Sequence, residues 1–379
     1  MRRILFLCGV LLLCVAEPDV THAQFAGRVW DFTNNSGRDY RVFSPSLGQK
    51  RDVYVYTPPG FRWNGQEKYP LLIWLHGYLG DERDFLDTVV PYLDAAIRRG
   101  ECPPLICMAP DGSIEGDFPR YDLENLPTGS WFVNSRRGRF QDYLVKDLWE
   151  WVHRRFPIRE GRDAHAIAGW SMGGFAAYNI ALKHRDRFAI VAGISPPVNM
   201  RYVDLHNNYM ADFDPNNWGL RQTFNDPDEV LAYFPVVYPV LGLPVQTELP
   251  ITVEMWFGPV WGLGREGARF VAQESPLELL AKNPVRPGEL DMYIAYAKDD
   301  PLNIDAQVES FVWWCRQSSI PVDVKAVPYG GHTTEFLQSQ LPDLFRWIGQ
   351  RLRARFAQPR QPNAEVATPQ TTARSSGAN

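Results

Sequence analysis

Ser171 stands in the run Gly169-Trp170-Ser171-Met172-Gly173-Gly174, with the apolar residues Ala166-Ile167-Ala168 before it and an Ala-rich stretch after it. A strand, a tight turn and a helix in that order would push the serine hydroxyl out above a sheet, where it can attack a carbonyl carbon. The flanking glycines suit this reading, because strand and helix nearly collide on either side of the serine and a Cβ there would clash. The amide of Met172, at the start of the helix, would then meet the oxyanion that such an attack creates. A bare Gly-x-Ser-x-Gly is a weak signal in 379 residues, since small residues are common and Gly-rich turns need no chemistry. Its weight has to come from partners elsewhere in the chain.

A serine hydroxyl is a poor nucleophile at neutral pH and needs a base; the base needs a third group to fix its tautomer and balance its charge. Three histidines follow the serine: His184, His206 and His332. His184 lies at a predicted helix end and His206 comes too early in the chain. His332 lies in a Gly330-Gly331-His332 turn after a predicted strand at 322–327. One strand earlier, residues 290–297 run into Lys298-Asp299-Asp300-Pro301-Leu302. The acid turn usually reads Asp-x-Leu after a strand and a small residue, which favours Asp300 over Asp299. Asp305, farther along, reads as a helix N-cap. Serine, acid and histidine in that order, each at the carboxyl end of a later strand, is the pattern of an α/β-hydrolase. The second oxyanion amide would come from the loop His76-Gly77-Tyr78-Leu79-Gly80, which follows the apolar run 69–75. Tyr78 is the candidate donor, and His76 reads as a brace for that loop rather than as a base.

The elements needed to position these groups are legible as alternating runs. Strands are expected at 28–32, 40–44 and 51–57 as antiparallel edge pieces, then at 69–75, 105–109, 164–168, 188–194, 290–297 and 322–327 as buried ones. Helices are expected at 83–99, 140–156, 174–184, 305–317 and 336–355. Strands alternating with helices imply a mostly parallel central sheet covered on both faces. Residues 199–288 break the rhythm with Pro, Asn and aromatics, including Trp218, Trp256 and Trp261. They read as an aromatic-rich cap insertion over the carboxyl edge, with short helices at 226–234 and 276–282. Its tryptophans are either a pocket wall or the insertion's own small core.

A formal net charge of −5 leaves no basic footprint, so neither nucleic acid nor an anionic membrane surface is expected as a partner. Arg2-Arg3, the apolar run 4–16 and a polar stretch ending in Thr21-His22-Ala23 match a secretory signal over residues 1–23. The run is too short to span a bilayer comfortably. The expectation is therefore a secreted or periplasmic product without stable membrane insertion, its catalytic domain at 24–355 and a disordered tail at 356–379. Cleavage would leave Cys102, Cys107 and Cys315, which form no metal or redox motif. Cys102 and Cys107 flank Pro103-Pro104 closely enough for a loop disulfide; the competing reading makes Cys107 a small buried hydrophobe. The chemistry calls for no cofactor and no metal.

The chain resembles the esterase family of the α/β-hydrolase superfamily, which includes esterase D (S-formylglutathione hydrolase), feruloyl and acetyl-xylan esterases, and the antigen 85 mycolyltransferases. The resemblance rests on Leu75-His76-Gly77, Ser130-Trp131-Phe132-Val133-Asn134-Ser135, Gly169-Trp170-Ser171-Met172-Gly173-Gly174, the Asp300 turn and Gly331-His332, across roughly residues 40–350. It implies Ser171, Asp300 and His332 as a catalytic triad, with the amides of Tyr78 and Met172 as oxyanion hole. The long Trp-rich segment 199–288 departs from the compact members, so the substrate is not carried over. The expected function is a serine carboxylesterase acting through an acyl-enzyme on an extracellular ester. Aromatic walls, with Trp170, Trp256 and Trp261 as candidate substrate-binding residues, suit a sugar face or a phenolic acyl group, and so feruloyl or acetyl esters of polysaccharides. The alternatives are acyl transfer of the antigen 85 type and a non-catalytic binding protein on a hydrolase scaffold.

Overall fold

Eight runs of the chain form one twisted sheet in the computed structural model, which describes residues 25–357 except 36, 64, 117–127 and 241–242. The expected signal segment, and residues 358–379 of the expected tail, lie outside the described residues, while Phe356 and Ala357 still belong to the C-terminal helix. In chain order the strands are β1 (Arg28–Phe32), β2 (Val53–Thr57), β3 (Leu71–Leu75), β4 (Ile106–Pro110), β5 (His165–Trp170), β6 (Ile190–Ile194), β7 (Asp291–Ala297) and β8 (Asp323–Val327). Their spatial order is β1-β2-β4-β3-β5-β6-β7-β8. The two pairings at the β1 end are antiparallel, and all others are parallel. The run expected at 40–44 stays outside this sheet: Val42–Ser44 pairs with Gln49–Arg51 as a separate small hairpin.

The pleat sends alternate residues of the central strands to opposite faces, and both faces are apolar. Leu71, Ile73, Leu75, Ile167 and Val191 join one core cluster with Phe175 and Ile180, which lie on the helix after the serine. Leu72, Trp74, Ala166, Ala168 and Ile190 join a second cluster on the other side. There they meet Leu93 of α1 (Val90–Arg98) and Leu341, Leu344 and Phe345 of the C-terminal helix Thr334–Ala357. Each fully buried Leu, Ile or Val contributes about 1.5–3 kcal/mol, and a sheet sealed on both sides is what keeps the strand ends fixed beneath the site.

Residues 199–288 fold differently from the sequence expectation in one place. Residues 226–234 do not form a helix: Val230–Val240 and Leu243–Thr252 pair as a long antiparallel arm with an irregularity between Val230 and Ala232. Pro235, Pro239, Pro244 and Pro250 punctuate a Val-rich run, and proline with β-branched residues opposes helix and favours extended chain. The helix expected at 276–282 is present as Pro276–Lys282, preceded by Val253–Phe257 and Gly264–Glu274. The insertion is fastened to the sheet domain by polar contacts. Asn179 donates to the carbonyl of Glu274 at 2.6 Å, Lys183 pairs with Glu274, and Arg136 donates to the Gly258 carbonyl at 2.6 Å.

All three described cysteines are buried and unpaired, so Cys102 and Cys107 form no loop disulfide. Burial pushes the Cys102 and Cys315 thiols up to about 12, which leaves them as inert hydrophobes.

Candidate active site

The strand β5 ends at Trp170, and the helix Met172–Lys183 begins one residue after Ser171. Ser171 alone makes the turn, at φ 52° and ψ −119°, a conformation that costs an L-residue on the order of 1–3 kcal/mol. Its amide is tied to the carbonyl of Ile194 at 2.9 Å. The crowding foreseen from the glycines is real. A Cβ on Gly173 would lie 2.0 Å from the Leu75 carbonyl oxygen, and one on Gly169 would lie 2.4 Å from the Gly173 carbonyl carbon. The turn closes only because both side chains are absent.

The three sequence-selected groups converge. His332 Nε2 and Ser171 Oγ are 2.8 Å apart, and His332 Nδ1 and Asp300 Oδ2 are 2.8 Å apart. A carboxylate facing Nδ1 fixes the proton there, so Nε2 is left to accept from the serine hydroxyl. Asp300 is buried, and its second oxygen accepts the Leu302 amide at 3.0 Å. Its neighbour Asp299 faces elsewhere and accepts the Gly331 amide at 2.8 Å, bracing the turn that carries His332.

Asp305 is not the N-cap. That place falls to Asn303, held at φ 54° and ψ 33° ahead of the helix Ile304–Gln317. The Asn303 side-chain amide is occupied by the carbonyls of Tyr209 and Ala211, while the Tyr209 hydroxyl donates to the Leu302 carbonyl at 2.7 Å. The insertion therefore grips the acid turn directly. Burial, reinforced by the charge of Asp300, pushes the Asp305 carboxyl up to about 7.

On the other side of Ser171 the chain leaves β3 through His76, Gly77 and Tyr78. An ideal Cβ at Gly77 would sit 3.8 Å from the Ser171 Cβ, so this backbone runs beside the nucleophile. The Met172 amide, first in its helix, has no intrahelical acceptor. His76 is spent inside the loop: its Nδ1 contacts the Gly77 carbonyl at 2.7 Å and its Nε2 accepts the Gly112 amide at 2.8 Å. It braces the loop, as the sequence suggested.

The candidate binding tryptophans separate. Trp261 is 4% exposed and packs its ring against Trp131, Phe175 and Phe270, so it is core. Trp256 is half-buried, nearly parallel to Tyr78 at 6.5 Å and edge-on to Trp131 at 5.6 Å. Trp170 stacks on the imidazole of His332. One participant escaped sequence reasoning about individual residues. Trp131 and Phe132 both have positive φ, 56° and 50°, in a buried turn whose Trp131 amide donates to Met172 Sδ at 3.2 Å. Nothing in their residue types announces that backbone.

The strand order, the elbow and the placement of these groups define the α/β-hydrolase fold. The family model "Esterase", described as "Putative esterase", matches residues 44–348; the chain belongs to that family and is a carboxylic ester hydrolase. Similar solved structures include a ferulic acid esterase at 18% identity and TM-score 0.60, covering 86% of this chain and 99% of that one. An S-formylglutathione hydrolase from Staphylococcus aureus matches at 16% identity and TM-score 0.52, covering 85% and 98%. A ferulic acid esterase from Anaeromyces mucronatus, in complex with ferulic acid, matches at 15% identity and TM-score 0.53, covering 85% and 95%. These likenesses show the fold. No helix among the described residues is long and apolar enough to cross a membrane.

Proposed function

We propose that the protein hydrolyses a carboxylic ester through an acyl-enzyme on Ser171, with His332 as base and Asp300 as the group that orients and balances it. The observation that carries this reading is the Ser171–His332–Asp300 chain of two 2.8 Å contacts. In the first half-reaction Ser171 Oγ bonds the ester carbonyl carbon as its proton passes to His332 Nε2. The tetrahedral oxyanion is held by the amides of Tyr78 and Met172. The carbon–oxygen bond to the alcohol then breaks, and the proton on Nε2 goes to the leaving oxygen. In the second half-reaction water gives its proton to Nε2 and adds to the acyl carbon. The acid departs as the proton returns to Ser171.

The substrate proposed is an aryl or sugar-linked ester, with feruloyl esters of polysaccharides as first choice. Tyr78 and the half-buried Trp256 present aromatic surface beside the oxyanion loop, and two similar structures are ferulic acid esterases. Residues 199–288 are proposed as the cap carrying that surface. Residues 1–23 are proposed as an export signal, which agrees with an extracellular polymer as substrate. The test compares methyl ferulate, acetylated xylan and p-nitrophenyl acetate on wild type and Ser171→Ala. Hydrolysis of methyl ferulate well above the acetyl substrates, abolished in the variant, is the expected result. Retained turnover by Ser171→Ala rejects the mechanism, and indifference to the aryl group rejects the substrate class.

A further inference from the structure

We propose that Trp170 is a positioning residue for the base, setting the plane of the His332 ring and stabilising its protonated form, rather than a substrate contact. The inference rests on the triad reading above. The indole and imidazole rings lie 4.4 Å apart between centroids with an interplanar angle of 29°. That is a stack, and the face of an indole attracts a cation placed over it. During turnover that cation forms when His332 holds the serine or water proton.

Trp170 is itself held. An ideal Cβ at Gly77 would lie 2.8 Å from its Cδ1 and 2.9 Å from its Nε1, so the loop comes close to the indole only because residue 77 lacks a side chain. Backbone on one side and imidazole on the other fix the indole between the oxyanion loop and the base. The residue that precedes the serine in the motif thus carries a geometric link between the two halves of the site.

The titratable and charged groups close to His332 in the chain or in its acid turn, or lining the cavity beside Trp170, come from three elements. Asp299, Asp300 and Asp305 lie on the turn after β7 and the helix it starts, and Glu335 lies on the C-terminal helix. His76 and Asp84 follow β3 and share with Trp170 the lining of a cavity of about 70 Å³. Asp300 is the carboxylate seen bonded to the imidazole, at 2.8 Å. Every one of these groups remains when Trp170 is replaced, so a change in pH response reports the indole.

The experiment measures kcat and KM for p-nitrophenyl acetate against pH in wild type, Trp170→Leu and Trp170→Phe, with melting curves. Losing the ring face should move the acid limb of kcat/KM down by about half to one pH unit. The plateau kcat should fall about 3- to 30-fold with KM within about twofold, because the protonated ring appears in the transition state. Trp170→Phe, which keeps a smaller ring face, should lie between and serves if the leucine variant folds poorly. A raised KM with an unmoved limb makes Trp170 a substrate wall, and a uniform loss at all pH with a lowered Tm makes it mere filler; either overturns the inference. NMR titration of the imidazoles in Ser171→Ala, with and without Trp170→Leu, reads the same shift without turnover. If the wild-type limb does not track the His332 titration, the triad reading fails; if it tracks but does not respond to Trp170, only this inference fails.

Discussion

Replacing Asp300 by asparagine while leaving Asp299 alone, and the reverse, puts the triad assignment at risk with one atom changed in each case. Asp300 makes two contacts: Oδ2 to His332 Nδ1 at 2.8 Å and Oδ1 to the Leu302 amide at 3.0 Å. An asparagine that keeps its oxygen on the Leu302 amide turns its NH₂ toward Nδ1. The imidazole must then accept there and carry its proton on Nε2, facing Ser171, where it cannot act as base. That tautomer costs about 10⁴-fold in kcat in serine enzymes built this way. The opposite orientation preserves the tautomer but faces NH₂ against the buried Leu302 amide. The unsatisfied pair costs about 1–3 kcal/mol, so the competent form is scarce by roughly 10- to 100-fold. The neutral amide also balances the imidazolium less well, since a hydrogen bond to a charged group exceeds a neutral one by about 1 kcal/mol. The scarcity of the competent form and its weaker balance multiply to about 50- to 500-fold, and the wrong tautomer sets the ceiling near 10⁴-fold, so Asp300→Asn should lose about 10²- to 10⁴-fold in kcat. Asp299→Asn keeps an oxygen for the Gly331 amide, and its loss should stay within about fivefold. The assay is p-nitrophenyl acetate hydrolysis at pH 8 with matched melting curves. Equal losses, or the larger loss at Asp299, would refute the assignment.

Trp261→Ala should destabilise the fold by about 3 kcal/mol, the low end for a buried aromatic, because the Trp261 indole nitrogen has no partner in its burial; a scanning calorimetry trace with Tm unchanged would contradict its placement as core. Trp256→Ala should instead lower kcat/KM for methyl ferulate about tenfold, the scale of one lost aromatic contact, while p-nitrophenyl acetate turnover changes little; equal effects on both substrates would show that Trp256 does not discriminate between them. The Asp305 carboxyl, raised to about 7 in the fold, binds a proton that the unfolded chain has already released, so it removes stability as pH rises from about 4 to 7. Asp305→Asn should flatten that part of the stability profile, and an unchanged profile in urea melts at several pH values would show the group is not strained. Because the three described cysteines are buried and unpaired, reductant should leave Tm unaltered and thiol reagents should react only on unfolding; a Tm drop with reductant would reveal a bond.

The site was legible where backbone geometry forces a residue type. Gly169 and Gly173 are glycine because the strand and helix leave no room for a Cβ, and Gly331 precedes His332 at φ 58°, so the motif encodes the turn itself. The buried strands were legible because a sheet covered on both faces needs continuous apolar runs. The arm at 230–252 was misread because a short apolar run between turn residues has no period to separate helix from strand. Its prolines, spread over two strands, were the discriminating signal. Asp305 was misassigned because either residue can cap in principle, and tertiary demand decided: Asn303 is held in place by carbonyls of Tyr209 and Ala211, nearly a hundred positions away. The contacts of Trp170 and Trp256 were beyond the sequence for the same reason. Which face a tryptophan offers, and to what, is set by contacts with Gly77, His332 and Tyr78 from other elements.

Ser171 is the proposed nucleophile, with His332 as the base that activates it. Stoichiometric labelling with p-nitrophenyl diethyl phosphate, followed by peptide mass mapping, tests it most directly. One diethylphosphoryl group per chain is expected, located on Ser171 and appearing at the same rate as esterase activity is lost. His332→Ala should slow labelling by orders of magnitude, and Ser171→Ala should take up no label. Full inactivation with the label on another residue, or labelled Ser171 with esterase activity intact, would contradict it.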